Sequence, residues 1–192
     1  FATPTEAAGV GAFGSTLLAF FKGKLNLFTL NEVSKNTVKV TSMVFFILIG
    51  AAIFSLVFRG FGGDTLVENF FEELPGGVFT ATLIVMVVIF VLGFILDFIE
   101  ITFVVVPIVG PVLLAMGLDP VWLGVMIAIN LQTSFLTPPF GFALFYLRGV
   151  APQSVQTIDM YKGVIPFIAI QLLLLISIWI FPEIATWLPS QL

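Results

Sequence analysis

Neither cysteine nor histidine occurs in this sequence of 192 residues. Their absence excludes disulfide bonds, thiol chemistry, a Ser-His-Asp triad and the usual ligands of zinc and haem. Charged residues are scarce as well, at 9% of the chain against roughly 25% in soluble globular proteins. The formal net charge of −4 also argues against a nucleic-acid-binding surface.

The chain is instead rich in long apolar runs. Hydrophobic residues make up 59% of it, 23 residues are phenylalanine, and the mean hydropathy is +1.19. This composition predicts an all-α, polytopic membrane protein. No signal peptide is visible and the chain opens on Phe1, so we expect a fragment or a processed product of a longer protein.

Charges between the apolar runs predict how the chain crosses the membrane. Residues 22–39 are basic and residues 59–77 are acidic, so the positive-inside rule makes the first a cytoplasmic loop and the second an outer loop. Residues 1–77 are then a scaffold-like part with a first helix, the basic loop, a span over 40–58 and the outer loop. Residues 151–192 are predicted to hold a cytoplasmic connector, a last span and an outer tail.

The first helix is predicted to begin at Thr3. A threonine at the N-cap, Pro4 at the first helical position and Glu6 three residues after the cap form the pattern of a capping box. The alternative is that Thr3, Thr5 and Glu6 face a polar cavity.

Residues 78–117 contain two apolar runs, with Asp97 and Glu100 between them. Either both runs span the membrane, or they form a helical hairpin that enters from outside and turns round within it. Two spans would leave both carboxylates at the cytoplasmic face without a basic residue nearby, whereas a hairpin tip buries Asp97. Because intramembrane carboxylates are functional by default, we favour the re-entrant hairpin, with Gly93 as a turn-making residue. The alternative for both carboxylates is an interfacial position.

A polar interruption lies inside the apolar run of residues 118–150. It contains Pro138-Pro139 and Gly141, which disfavour a continuous helix. Backbone groups freed within a membrane must be satisfied by protein, ions or water, so we predict a broken transmembrane helix that lines a site. The alternative is a kinked or re-entrant helix with a structural role only.

Polar side chains precede this interruption. Asn130, Thr133 and Thr137 follow one another at intervals of three and four, so they share a helical face and can line one cavity. They can also serve as interhelical hydrogen-bonding groups. Carboxylate, amide, hydroxyl and freed carbonyl oxygens suit a hard cation such as sodium. The predicted sodium- and substrate-binding set is Gly93, Asp97, Asn130, Thr133, Thr137, Pro138 and Gly141, with Asp97 and Thr137 as the expected sodium ligands.

Four motifs, in their order and spacing, resemble one known family. They are Ala2-Thr-Pro-Thr-Glu-Ala-Ala8, Gly93-x-x-x-Asp97, Gly117-Leu-Asp-Pro-Val121 and Thr137-Pro-Pro-Phe-Gly141. The family is the large membrane subunit of tripartite ATP-independent periplasmic (TRAP) transporters, and the chain resembles the second of its two inverted repeats.

The resemblance implies half of an elevator-type, sodium-coupled carrier that takes up small organic acids across the bacterial inner membrane. Its implied partners are a small membrane subunit, a periplasmic substrate-binding protein and the first repeat of the same subunit. No cofactor is implied besides the coupling sodium ions. Gly93 to Asp97 would lie at the hairpin tip and Thr137 to Gly141 at the helix break. Together they would form one sodium site and half of the substrate cavity.

Other functions fit the residues less well. An ion channel needs a continuous polar pore, and the sequence offers one polar break. An intramembrane aspartyl protease needs a second aspartate in a separate span, whereas Asp97 and Glu100 lie three residues apart. We therefore expect no enzymatic activity, and keep the channel and a non-transporting structural membrane subunit as alternatives.

Overall fold

A computed structural model describes residues 3–138, 142–152 and 154–191. Within these residues the chain is helical and contains no strand. Three helices are long and apolar enough to cross a membrane: Leu27–Gly60, Phe98–Ala115 and Thr157–Ile180. The prediction of an all-α transmembrane protein is confirmed. The chain divides into two compact units, residues 1–47 and residues 48–192.

The first unit contains α1 (Pro4–Phe21) and the first part of α2 (Leu27–Gly60). α1 begins with the predicted capping box. Glu6 N donates to Thr3 Oγ1 at 3.3 Å, and Thr3 N donates to the Glu6 carboxylate at 2.7 Å. These reciprocal bonds occupy two donors at the start of the helix, and the predicted helix start is confirmed.

The prediction of a basic loop over residues 22–39 is wrong, because only residues 22–26 separate α1 from α2. Asn26 starts α2 by accepting a hydrogen bond from Thr29 N at 2.8 Å. No proline or glycine occurs between Asn26 and Gly50. Lysine and glutamate are good helix formers, so the charges of this stretch do not end the helix.

The prediction of an outer loop over residues 59–77 is also wrong. α2 continues to Gly60, and α3 covers Gly63–Glu72. Phe71 is 5% exposed and packs in the hydrophobic core, while the acidic residues of α3 are exposed. The acidic residues therefore form one face of an amphipathic helix. Counting the charges of the stretch cannot distinguish such a helix from a loop.

α4 (Gly77–Leu92) and a second helical arm form a hairpin. The second arm consists of α5 (Phe98–Glu100), a π-helical segment (Ile101–Val105) and α6 (Val106–Ala115). Pro107 has no backbone N–H, so it cannot donate the helical hydrogen bond to the carbonyl of residue 103. Residue 103 lies within the π-helical segment. Residues 93–97 form the turn that joins the two arms.

α7 (Pro120–Leu136) is the central helix of the second unit and packs against both α4 and α9 (Thr157–Ile180). Asp119 caps α7 by accepting a hydrogen bond from Trp122 N at 2.8 Å. The indole Nε1 of Trp122 donates to the carbonyl of Ile178 at 3.0 Å, and its ring lies 5.6 Å from that of Trp179. These contacts fix one end of α7 against the end of α9.

The remaining elements follow α7 in the chain. α8 (Phe142–Val150) precedes α9, while α10 (Glu183–Thr186) and a 3-10 turn (Pro189–Gln191) follow it. The buried core of the second unit is built mainly from α4, α6 and α7, with Ala81, Ile89, Leu113, Leu123 and Met126 among its members.

Candidate functional site

The C-terminal end of α7 carries a row of hydroxyl groups. Each donates a hydrogen bond to a carbonyl three or four residues earlier, at 2.7–2.8 Å; the pairs are Thr133 with Ile129, Ser134 with Leu131, and Thr137 with Thr133. Thr133 and Ser134 are fully buried. Because each hydroxyl hydrogen is directed at the backbone, its oxygen is left to accept further hydrogen bonds or to coordinate a cation.

α7 ends where the sequence predicts an interruption. Its last residue is Leu136, and Thr137 adopts φ −84 and ψ 125. This extended conformation is the one that a following proline favours, so Pro138 accounts for the end of the helix. Pro138 itself is half-buried. The predicted site residue Gly141 lies outside the described residues, as does Pro139, and the structure resumes with α8 at Phe142.

Gly93, at the end of α4, meets α7 at Ser134. A Cβ added to Gly93 would lie 2.1 Å from Ser134 Oγ and 2.9 Å from Ser134 Cβ. Gly93 has φ −64 and ψ −9, which are helical values open to any residue. Gly93 lies in the turn of residues 93–97, but its backbone angles do not require glycine. Glycine is needed because the backbone of the hairpin tip approaches α7 too closely for a side chain.

Asp97 caps the second arm of the hairpin. Its Oδ1 accepts a hydrogen bond from Phe98 N at 2.7 Å, and the residue is half-buried. The ring of Phe98 meets that of Phe135 on α7 edge-on, with the two centroids 6.2 Å apart. The hairpin tip thus contacts α7 at Ser134 and again at Phe135. The structure brings the predicted hairpin tip and the predicted end of α7 together. The hydrogen bonds of Asp97 and Thr137 that the structure describes join each of them to a residue of its own segment, Phe98 and Thr133 respectively.

Asn130 lies one turn before these contacts and is 4% exposed. Its Nδ2 donates to the carbonyl of Met86 on α4 at 2.8 Å. An interhelical hydrogen bond, one of the two roles that the sequence left open, is therefore present. This bond holds α4 against α7 close to the hairpin tip.

The pairing of Gly93 with Ser134 was not predicted. Ser134 is one of several polar residues between Asn130 and Thr137, and no spacing in the sequence connects it with Gly93. The available signal was the residue type, because glycine and serine are the residues that let membrane helices approach closely.

The family model for the tripartite ATP-independent periplasmic transporter, DctM component, matches residues 1–184. The chain belongs to this family. The resemblance found in the four motifs is thereby confirmed, and the chain is a transmembrane part of the transport machinery that the family forms.

Several named relatives of this DctM-family chain are TRAP large permeases. The sialic acid permease SiaM of Vibrio cholerae is 30% identical over 193 residues, which cover 98% of this chain and 44% of SiaM. The C4-dicarboxylate permease DctM of the same species is 29% identical, over 99% of this chain and 46% of its own length. The 2,3-diketo-L-gulonate permease YiaN of Escherichia coli is 27% identical, over 95% of this chain and 43% of its own length. The chain spans about half the length of these curated relatives.

The C-terminal ends of two helices, α4 and α7, meet at the hairpin tip of this TRAP permease chain. α4 ends at Leu92 and α7 at Leu136, and the contact of Gly93 with Ser134 joins these ends. A helix C-terminus carries partial negative charge, and Asp97 adds a carboxylate to the same tip. Carbonyl, carboxylate and hydroxyl oxygens in such a field suit a hard cation.

Proposed function

We propose that this chain is the second half of the large membrane subunit of a sodium-coupled secondary transporter. The transporter takes up small organic acids, delivered by a periplasmic binding protein, by elevator-type alternating access across the bacterial inner membrane. The first inverted repeat and a small membrane subunit complete it. The observation that carries this proposal is the contact of Gly93 with Ser134, in which the hairpin tip meets the end of α7.

The chemistry of this contact supports sodium as the coupling ion. Two helix C-termini, the Asp97 carboxylate and the hydroxyl oxygens of α7 provide oxygen ligands without a competing basic side chain among the described residues of the tip. We assign Asp97 and Thr137 as sodium ligands, with Thr133, the Pro138 backbone and Gly141 completing the surroundings of the ion and the substrate. Gly93 and Asn130 hold the tip in place.

The lengths of the helices support a tip and a break inside the membrane. α4 has 16 residues and α7 has 17, so they are ~24 Å and ~26 Å long. Both are shorter than the hydrocarbon core of about 30 Å. These lengths support a re-entrant α4 and an interrupted α7 in our proposal, while the second hairpin arm, Phe98–Ala115, is long enough to cross a membrane.

The class of substrate is supported by the relatives. Their names assign them sialic acid, C4-dicarboxylates and 2,3-diketo-L-gulonate, all of which are organic acids. An acid of this kind and a sodium ion can share one site because their charges are opposite.

The test is uptake by the complete transporter, with its binding protein, in proteoliposomes under an imposed sodium gradient. Asp97→Asn and Thr137→Ala should each raise the sodium concentration needed for half-maximal uptake by about tenfold, since the first removes the negative charge of the carboxylate and the second removes a hydroxyl oxygen. Two matched controls are available. Asp119→Asn changes a helix N-cap, a position at which asparagine caps as well as aspartate. Thr186→Ala removes a hydroxyl that donates to the Pro182 carbonyl.

The alternatives make different predictions in the same vesicles. A channel would give flux that does not saturate with substrate and does not depend on the sodium gradient. A structural subunit would leave the sodium dependence unchanged in both site variants. Unchanged sodium dependence would contradict the assignment of Asp97 and Thr137.

A further inference from the structure

A groove of about 450 Å³ lies beside the hairpin tip, between the second hairpin arm and α7. We call it the tip groove. Phe98 and Phe135, whose rings are in contact, lie at its end next to Asp97. Its volume falls in the range of small-molecule sites, roughly 300–1,000 Å³.

The floor of the tip groove is open because two small residues form it. Gly124 and Ala128 follow one another by one helical turn on α7, and both are exposed. A Cβ added to Gly124 would meet no atom within 4 Å. Gly124 and Gln132 are ~12 Å apart along the helix, which leaves room for an extended small molecule between them.

Two uncharged polar side chains line the groove, one on each of the two helical segments that form it. Thr102 lies on the π-helical segment and Gln132 on α7, and both are exposed. In a membrane-embedded helix an exposed amide without a partner is costly, which is why such residues mark binding sites and pathways. Among the described residues that line the groove, none is charged, and the remaining walls are apolar, with aliphatic side chains and the rings of Phe98 and Phe135.

We infer that the tip groove binds the body of the transported acid and that Thr102 and Gln132 donate hydrogen bonds to it. This inference rests on the proposed function and adds the class of substrate. An apolar wall leaves the hydroxyls of a sugar acid without partners, whereas it packs well against an aromatic ring or a branched alkyl chain. The substrate class is therefore a monocarboxylic acid with an apolar body, unlike the sialic acid of the relative SiaM.

The experiment measures sodium-dependent binding to the complete permease, with both membrane subunits, in lipid nanodiscs without the binding protein. The probes are radiolabelled phenylacetate, 4-methylpentanoate and gluconate, which carry the same charge. The first two should bind about tenfold more tightly than gluconate. Gly124→Leu, which fills the groove, and Gln132→Leu, which removes a donor, should each weaken phenylacetate binding about tenfold.

The matched control is Gly50→Leu, which adds the same side chain to an exposed glycine of α2 with no atom within 4 Å. It should leave binding unchanged. Tighter binding of gluconate, or unchanged phenylacetate binding in the Gly124→Leu permease, would overturn the inference and leave the proposed function intact. Failure of the Gly124→Leu permease to assemble, when Gly50→Leu assembles, would show that another helix fills the groove. Absence of sodium-dependent binding for every acid would overturn the proposed function as well.

Discussion

The backbone of Gly93 lies so close to Ser134 that a Cβ at position 93 would be 2.1 Å from the Ser134 hydroxyl oxygen. Ser134 is fully buried and its hydroxyl is bonded to the Leu131 carbonyl at 2.8 Å, so it has little room to move aside. The hairpin tip and the end of α7 are therefore matched in shape at this one contact.

Gly93→Ala should displace the hairpin tip from α7. We expect a loss of roughly 1–3 kcal/mol in stability, the usual cost of overpacking, and a reduction of sodium-driven uptake by about tenfold or more. Thermal unfolding of the purified permease and uptake in proteoliposomes measure the two effects. Gly50→Ala, a substitution into open space on α2, is the control that should leave both unchanged.

A second substitution shows whether the contact is the cause. Ser134→Gly removes the two atoms that would lie within 3 Å of the new Cβ and leaves only the Ile89 carbonyl oxygen at 3.4 Å, so the double variant Gly93→Ala with Ser134→Gly should regain much of the uptake. A double variant as inactive as Gly93→Ala alone would mean that glycine is needed there for another reason.

Asn130→Leu should destabilise the permease by about 1 kcal/mol, because it removes an interhelical hydrogen bond. The bond lost is the 2.8 Å one from Asn130 Nδ2 to the Met86 carbonyl. The sodium concentration for half-maximal uptake should stay the same, since the amide acts by holding α4 against α7. A shift in that concentration would instead make Asn130 a ligand of the ion or the substrate.

Trp122→Phe should cost about 1 kcal/mol in stability, since phenylalanine keeps the packing but cannot donate to the Ile178 carbonyl. Unfolding followed by heat or denaturant measures this loss. Trp187→Phe is the matched control, because Trp187 is 63% exposed. Equal stability of the two variants would show that the indole hydrogen bond contributes nothing.

Gln171→Met should act in the opposite direction and stabilise the permease by about 1 kcal/mol. The Oε1 atom of Gln171 is buried in α9 and has no hydrogen-bond partner among the described residues. Methionine keeps the size of the side chain and removes the unpaired oxygen. A loss of stability in this variant would reveal that the oxygen has a partner in the assembled transporter.

Local sequence signals predicted the ends of helices well. Thr3 and Glu6 form the expected capping box, and Thr137 leaves the helix because Pro138 follows it. Both effects act within a few residues of the chain, so no knowledge of the rest of the fold is needed.

Charge was a poorer guide to secondary structure. Lys35 and Lys39 lie on α2, and Asp64, Glu68 and Glu72 lie on α3, because charge determines the environment of a side chain and not the path of the backbone. Contacts between distant parts of the chain were not predictable either. Gly93 meets Ser134, which lies 41 positions later, and Met86 meets Asn130, which lies 44 positions later. The residues around each of these positions give no indication of the distant contact.

The three hydroxyls at the end of α7 have a consequence for the kinetics of the proposed transport. Thr133, Ser134 and Thr137 direct their hydrogens at the backbone, so these three hydroxyl groups offer only lone pairs. Lone pairs repel a carboxylate and attract sodium. In the proposed transporter the bound ion reverses the sign of the potential that the acid meets, so we expect a compulsory order of binding, with the cation first and the anion second.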